Sequence, residues 1–137
     1  MNKIMEKVKV LIGWDRNYGA CCDAAPGCIA TAATLDGIKK EFAEALEFHL
    51  EGMREDGDPI PAVFDGEYEL EFEMNGRALV HYAEGLVDRS ALARLSGINK
   101  VQLGHYSTGR STPRPQQIER IKNGIRAIAA QLSALSL

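Results

Sequence analysis

Leu92–Gly109 reads LARLSGINKVQLGHYSTG, two short helical stretches interrupted at a single glycine. Asp88 can cap a helix over Arg89–Leu95, and Asn99 can cap a second one that runs to about Ser107. So short a break permits only a tight turn, and Gly97 is the residue type that tolerates the positive φ or close backbone approach the turn needs. Counted from Arg89 as the first position, Ala93 stands fifth, Gly97 ninth, Ile98 tenth, Leu103 fifteenth and Tyr106 eighteenth. The small residue lets two helices approach, and the three apolar residues bury their inner faces. This is helix-turn-helix spacing, in which the second helix lies in a major groove. The preceding stretch Asn75–Leu86, with Leu79, Tyr82 and Leu86 on one stripe, is expected to pack behind the pair.

The outward positions of the second helix are Lys100, Val101, Gln102, Gly104 and His105. Lys100 and Gln102 can hydrogen-bond base edges, and Val101 can touch a thymine methyl. His105 suits a base or a phosphate, or simple exposure, and Asn99 stands at the same DNA-facing end. Arg89 and Ser90, at the N-terminus of the first helix, suit phosphate, as do Thr108, Arg110 and Arg114 beyond the second. Charge points the same way. Residues 88–137 carry 8 Lys and Arg against 2 Asp and Glu, a formal +6, whereas residues 1–87 carry 8 against 17, a formal −9. Such asymmetry suggests an acidic module joined to a nucleic-acid-binding one.

After Pro115, which can occupy the first turn of a helix, Ile118, Ile121, Ile125, Ile128, Leu132 and Leu135 recur at alternating spacings of three and four. That is an a/d seam. It is expected to drive self-association through Ile125, Ile128, Leu132 and Leu135, giving a dimer or higher even oligomer. The alternative is that the seam packs internally.

The acidic part is patterned differently. In VKVLIGWD, Val8, Val10, Ile12 and Trp14 share one face of a strand. RNYG reads as a turn, with Asn17 and Gly19 supplying its chemistry. YGACCDA and CIATAAT read as second and third strands around a break at Ala25–Gly27. Thr34 can cap a helix over about 35–54, whose stripe is Leu35, Ile38, Phe42, Leu46, Leu50 and Met53. Pro59 and Pro61 impose an extended connector. EYELEFEM then alternates strictly, with Tyr68, Leu70, Phe72 and Met74 on one face and Glu67, Glu69, Glu71 and Glu73 on the other. The order is β-β-β-α-β, one helix on a small sheet. The fold class is therefore α+β followed by an all-α region, divided into residues 1–73 and 74–137.

Chemistry is sparse. Asp15, Asp23 and the glutamate row are the carboxylates a metal-dependent nuclease would need to converge, but alternating glutamates more simply form a solvated or protein-binding surface. There is no nucleophile–base motif and no phosphate-cradling loop. No catalytic residue, metal or cofactor is expected. Cys21, Cys22 and Cys28 lack a histidine at ligand spacing and do not form a disulfide framework, so they read as small, half-buried strand residues. No apolar run approaches the roughly 18 residues of a membrane span. The opening MNKIMEKVKV lacks the apolar core and cleavage site of a signal peptide. A cytoplasmic protein with no membrane partner is expected.

The run from NYGA through APGCIATAATLDGIKKEFAEALEFHLEGMREDGDPIP resembles the N-terminal domain of the HicB family of antitoxins. The features that carry this are YGA, PGC, Thr34–Leu35 opening the helix, EALEFHLEG (Glu44–Gly52) and Gly57–Pro61, in the family's order and spacing over about residues 8–73. The resemblance implies a degenerate ribonuclease-H-like fold that is not an enzyme and that binds and blocks HicA, a small mRNA-cleaving toxin. Residues 75–135, through ALARLSGIN and the later Leu, Tyr, Gly and Pro, resemble the Xre/Cro-like DNA-binding domain attached to one branch of that family. The expected partners are therefore a HicA-like toxin, duplex operator DNA and a second copy of the chain. Candidate toxin-binding residues are Glu44, Glu47, Phe48 and Glu51 on the helix and Glu69 and Glu71 on the fourth strand. The rival reading is a free-standing, phage-type helix-turn-helix repressor whose N-terminal domain binds a ligand or another protein.

Overall fold

The computed structural model describes residues 5–137. Met1–Ile4, part of the opening stretch read against a signal peptide, lie outside them. The chain is mixed α+β, and among the described residues it forms a four-stranded mixed sheet and five helices. It divides into two compact units, Met1–Asn75 and Gly76–Leu137.

In the first unit, β1 (Glu6–Asp15), β2 (Asn17–Cys21) and β3 (Ile29–Ala32) form an antiparallel meander. The helix α1 (Leu35–Glu55) and a 3-10 turn (Ala62–Phe64) then lead to β4 (Tyr68–Met74), which pairs parallel to β1. The sheet order is β3-β2-β1-β4, so β1 is flanked on both sides while β3 and β4 are edges. Alternation decides which side is buried. Val8, Val10 and Ile12 of β1 and Tyr18 and Ala20 of β2 are buried together with Ile38, Phe42, Leu46 and Leu50 of α1. Each of these large side chains contributes roughly 1.5–3 kcal/mol relative to exposure. The Thr34 hydroxyl accepts from the Gly37 N–H at 3.0 Å and starts α1, a cap that stabilises by about 1 kcal/mol.

Two local expectations are corrected in this unit. The β1–β2 turn is centred on Arg16, which adopts φ 69°, while Asn17 already pairs with Asp15 across the hairpin. The tightness of the turn forces a non-glycine residue into the left-handed region there. Trp14 is half-buried and meets Tyr18 edge-to-face at 4.9 Å. Of the cysteines, only Cys21 ends a strand, and it is exposed; Cys22 and Cys28 are buried beside the β2–β3 connection. Burial, and secondarily the neighbouring Cys22, raises the pKa of the Cys28 thiol.

The second unit is four helices: α2 (Gly76–Glu84), α3 (Arg89–Ser96), α4 (Lys100–Thr108) and α5 (Pro115–Ser133). One core joins them, made of Val80, Ala83, Leu92, Ile98, Leu103, Tyr106 and Ile121, with Leu79, Ala93, Ile125 and Ile128 packed against it. Two stripes are buried differently from expectation here, although Leu79 does pack against the core. The face α2 buries is Gly76, Ala78, Val80 and Ala83, whereas Tyr82 and Leu86 are exposed. Both stripes are apolar at helical spacing, and the smaller one wins because α2 starts tightly against Pro113. The C-terminal seam is split. Ile121 is fully buried and Ile125 and Ile128 are partly buried against the unit's own core, while Leu132 and Leu135 are exposed. The helix ends at Ser133, before Leu135. Among the described residues, no helix is long and apolar enough to cross a membrane.

Candidate functional site

The α3–α4 pair is built from its caps inward. The Asp88 carboxylate accepts from the Ala91 N–H at 2.8 Å and starts α3. Gly97 ends it at φ 75°, ψ 12°, its N–H bonded to the Ala93 carbonyl. Two residues later the Asn99 side chain accepts from the Gln102 N–H at 2.7 Å and starts α4. The buried Ser96 hydroxyl accepts from the Ile98 N–H at 3.2 Å, satisfying a donor inside the turn. The Gly97 and Ile98 N–H groups and the Ser96 and Asn99 side chains are thus all used in holding the turn.

With Ile98, Leu103 and Tyr106 buried, the outward residues of α4 are fixed by the helical period. Lys100 is exposed, Val101 is 68% exposed, and Gln102, Gly104 and His105 are half-buried. The Gln102 side-chain amide donates to the Ser111 hydroxyl at 3.0 Å, which holds its orientation. Ser90, Asn99, Thr108, Arg110 and Arg114 are exposed. The Thr108 hydroxyl donates back to the Gly104 and His105 carbonyls, so its capacity is partly spent within the helix.

Arg89 differs from the expectation of a free phosphate ligand. Its Nε donates to Glu84 Oε1 at 2.6 Å, and its Nη2 donates to Glu84 Oε2 at 3.2 Å and to the Ser107 hydroxyl at 3.4 Å. The bidentate Glu84 carboxylate, foremost through its hydrogen bond, raises the guanidinium pKa. A Cβ on Gly104 would sit 2.8 Å from Arg89 Nη1. Gly104 is therefore not merely a gap in the outward row; it makes room for the arginine that ties α2, α3 and α4 together.

Other supports were not visible in the sequence. Arg77 Nε donates to the Ser107 carbonyl at 3.4 Å, and its guanidinium lies where a Cβ on Gly109 would project. A cation at the C-terminus of α4 also complements the helix dipole. A Cβ on Gly124 would lie 3.0 Å from both Ser96 N and Ser96 Cβ, so α5 meets α3 nearly backbone to backbone. Only the opposite charges of Glu84 and Arg89, close in sequence across a helix break, offered a readable signal.

In the first unit, strand register decides how acidic the sheet is. The face opposite α1 pairs Lys7 with Glu69, Lys9 with Glu71 and Leu11 with Glu73. Lys9 bonds Glu73 at 3.0 Å, and that hydrogen bond, followed by the charges of Glu73 and Glu71, raises the lysine pKa. The glutamate row is thus interleaved with lysines. The helix side is different: Glu44, Glu47, Phe48 and Glu51 are all exposed, with Phe48 at 79%. Phe48 lines an open groove of about 490 Å³ with Gly27, Cys28, Ile29, His49, Met53, Asp56 and Asp58. Of that lining, sequence reasoning found Phe48 alone. Among the described residues, no three or more His, Cys, Asp or Glu side chains gather as a metal ligand set. In comparison with known proteins, no family model and no curated protein matches the chain.

Proposed function

We propose that the chain is an antitoxin and autorepressor. Its first unit, read as a degenerate ribonuclease-H-like fold of the HicB kind, binds and silences a small basic toxin of the HicA kind without cutting RNA itself. Its second unit, read as a helix-turn-helix, binds the operator of its own gene with α4 in the major groove. The observation that carries the reading is the α3–Gly97–α4 geometry. A left-handed glycine joins two side-chain-capped helices, and α4 presents Lys100 and Val101 outward from a fixed frame. The division of charge into −9 before residue 88 and +6 from residue 88 onward supports a basic protein partner for one unit and phosphate for the other.

The test has two arms. The full chain is titrated against duplex DNA from upstream of its gene and against unrelated duplex, and it is co-expressed with the product of the adjacent reading frame. The reading expects preferential operator binding and restored growth. Operator binding without growth rescue or complex formation would favour the free-standing repressor.

A further inference from the structure

We infer that the open groove between Gly27–Ile29 and the second half of α1 is the docking site for a basic protein, with Phe48 as its apolar anchor. The inference rests on the toxin-binding reading of the first unit and assigns the face that performs it. Phe48 at 79% and Ile29 at 69% are the most exposed large apolar side chains among that unit's described residues, and both line this one concavity. Single exposed hydrophobics are ordinary on protein surfaces, but two that converge on a groove mark a contact site. Met53 and Ala45 extend the apolar wall.

Charge selects the occupant. Asp56 and Asp58 line the groove, and its lining contains no lysine or arginine. Glu44, Glu51 and Glu55 stand at i−4, i+3 and i+7 from Phe48, on the same outward surface of α1, and all are exposed. A nucleic-acid backbone or an anionic bilayer would bring phosphate against these carboxylates. A second copy laid face to face would set acid against acid. A basic protein, with an apolar side chain for the groove and cations for its rim, meets both parts of the surface. The sheet glutamates are a poorer match, because Lys7 and Lys9 are interleaved with them.

Calorimetric titration of the full chain with the purified product of the adjacent reading frame provides the test. Phe48→Ala removes an exposed side chain, so its melting temperature should match the wild type, while affinity should fall about tenfold or more. The double change Glu69→Gln with Glu71→Gln should leave affinity within roughly threefold. A wild-type complex that Phe48→Ala leaves unweakened overturns the groove while the toxin-binding reading stands. If the wild type does not bind, that reading falls, and the groove is judged by NMR titration with a synthetic arginine-rich peptide carrying one central leucine. Shifts at Ile29, Phe48 and Met53 that Phe48→Ala abolishes support the site. Shifts confined elsewhere overturn it, as does self-association of the free chain that Phe48→Ala abolishes.

Discussion

Single residues set the turn and the closest approaches. Gly97 at φ 75° occupies the region where a Cβ is disfavoured, so Gly97→Ala should cost about 1–2 kcal/mol in urea unfolding. Nothing lies within 4 Å of a Cβ built there, so that cost is conformational and not a clash. Gly124→Ala is the opposite case. Its backbone φ raises no objection, but Ser96 main-chain atoms at 3.0 and 3.1 Å leave no room, and overpacking should cost roughly 1–3 kcal/mol by the same measurement. Gly97 was legible because a helix break on that spacing demands it. Gly124 was not, since a helical glycine looks the same in sequence whether its neighbour is water or another backbone. Thiol chemistry separates the cysteines: exposed Cys21 should alkylate first, with buried Cys22 and Cys28 lagging until unfolding. The raised pKa of Cys28 carries a sign as well. Its contribution to stability is complete below the unfolded thiol value and is lost as pH rises through the folded one, so alkaline titration should show a destabilisation that Cys28→Ala removes.

At the scale of elements, α4 and α5 carry the sharpest expectations. If Lys100 reads a base, Lys100→Ala should weaken operator binding by about 1–3 kcal/mol and relax specificity at one position. Arg110→Ala should weaken operator and unrelated duplex alike and lower the salt slope by about one. Equal behaviour of both variants and the wild type in a mobility-shift titration would remove α4 from the interface. The split seam of α5 changes how self-association has to be tested. Cutting before Ile128 would damage the core that Ile121, Ile125 and Ile128 share, so the informative truncation ends at Gln131 and removes Leu132 and Leu135. Sedimentation should then show a smaller species with an unchanged helical spectrum. An unchanged sedimentation coefficient would place any dimer contact elsewhere. Periodicity located α1 and β4 closely because each has one apolar face against one polar face. It misassigned α2 because both its stripes are apolar, and only Pro113 and the tight start at Gly76 choose between them. It overextended α5 because a seam pattern continues past Ser133 whether or not the helix does.

For the whole molecule, two units with separate cores should each unfold cooperatively when produced alone as residues 1–75 and 76–137, checked by thermal melts of each fragment. The order of pairing in the sheet also bears on synthesis. β1 is made first, yet one of its two neighbours, β4, is the last strand of its unit to be made, separated from it by β2, β3 and the whole of α1. Until Tyr68–Met74 leave the ribosome, the flank that β1 keeps for β4 is a bare edge, rich in Val8, Val10 and Ile12, open to pairing with another nascent chain. A message cut anywhere ahead of the codons for β4 therefore yields a product that is both unfinished and sticky. On the antitoxin reading proposed above, damage to the transcript would thus reduce the supply of working protein ahead of any change in the folded chain.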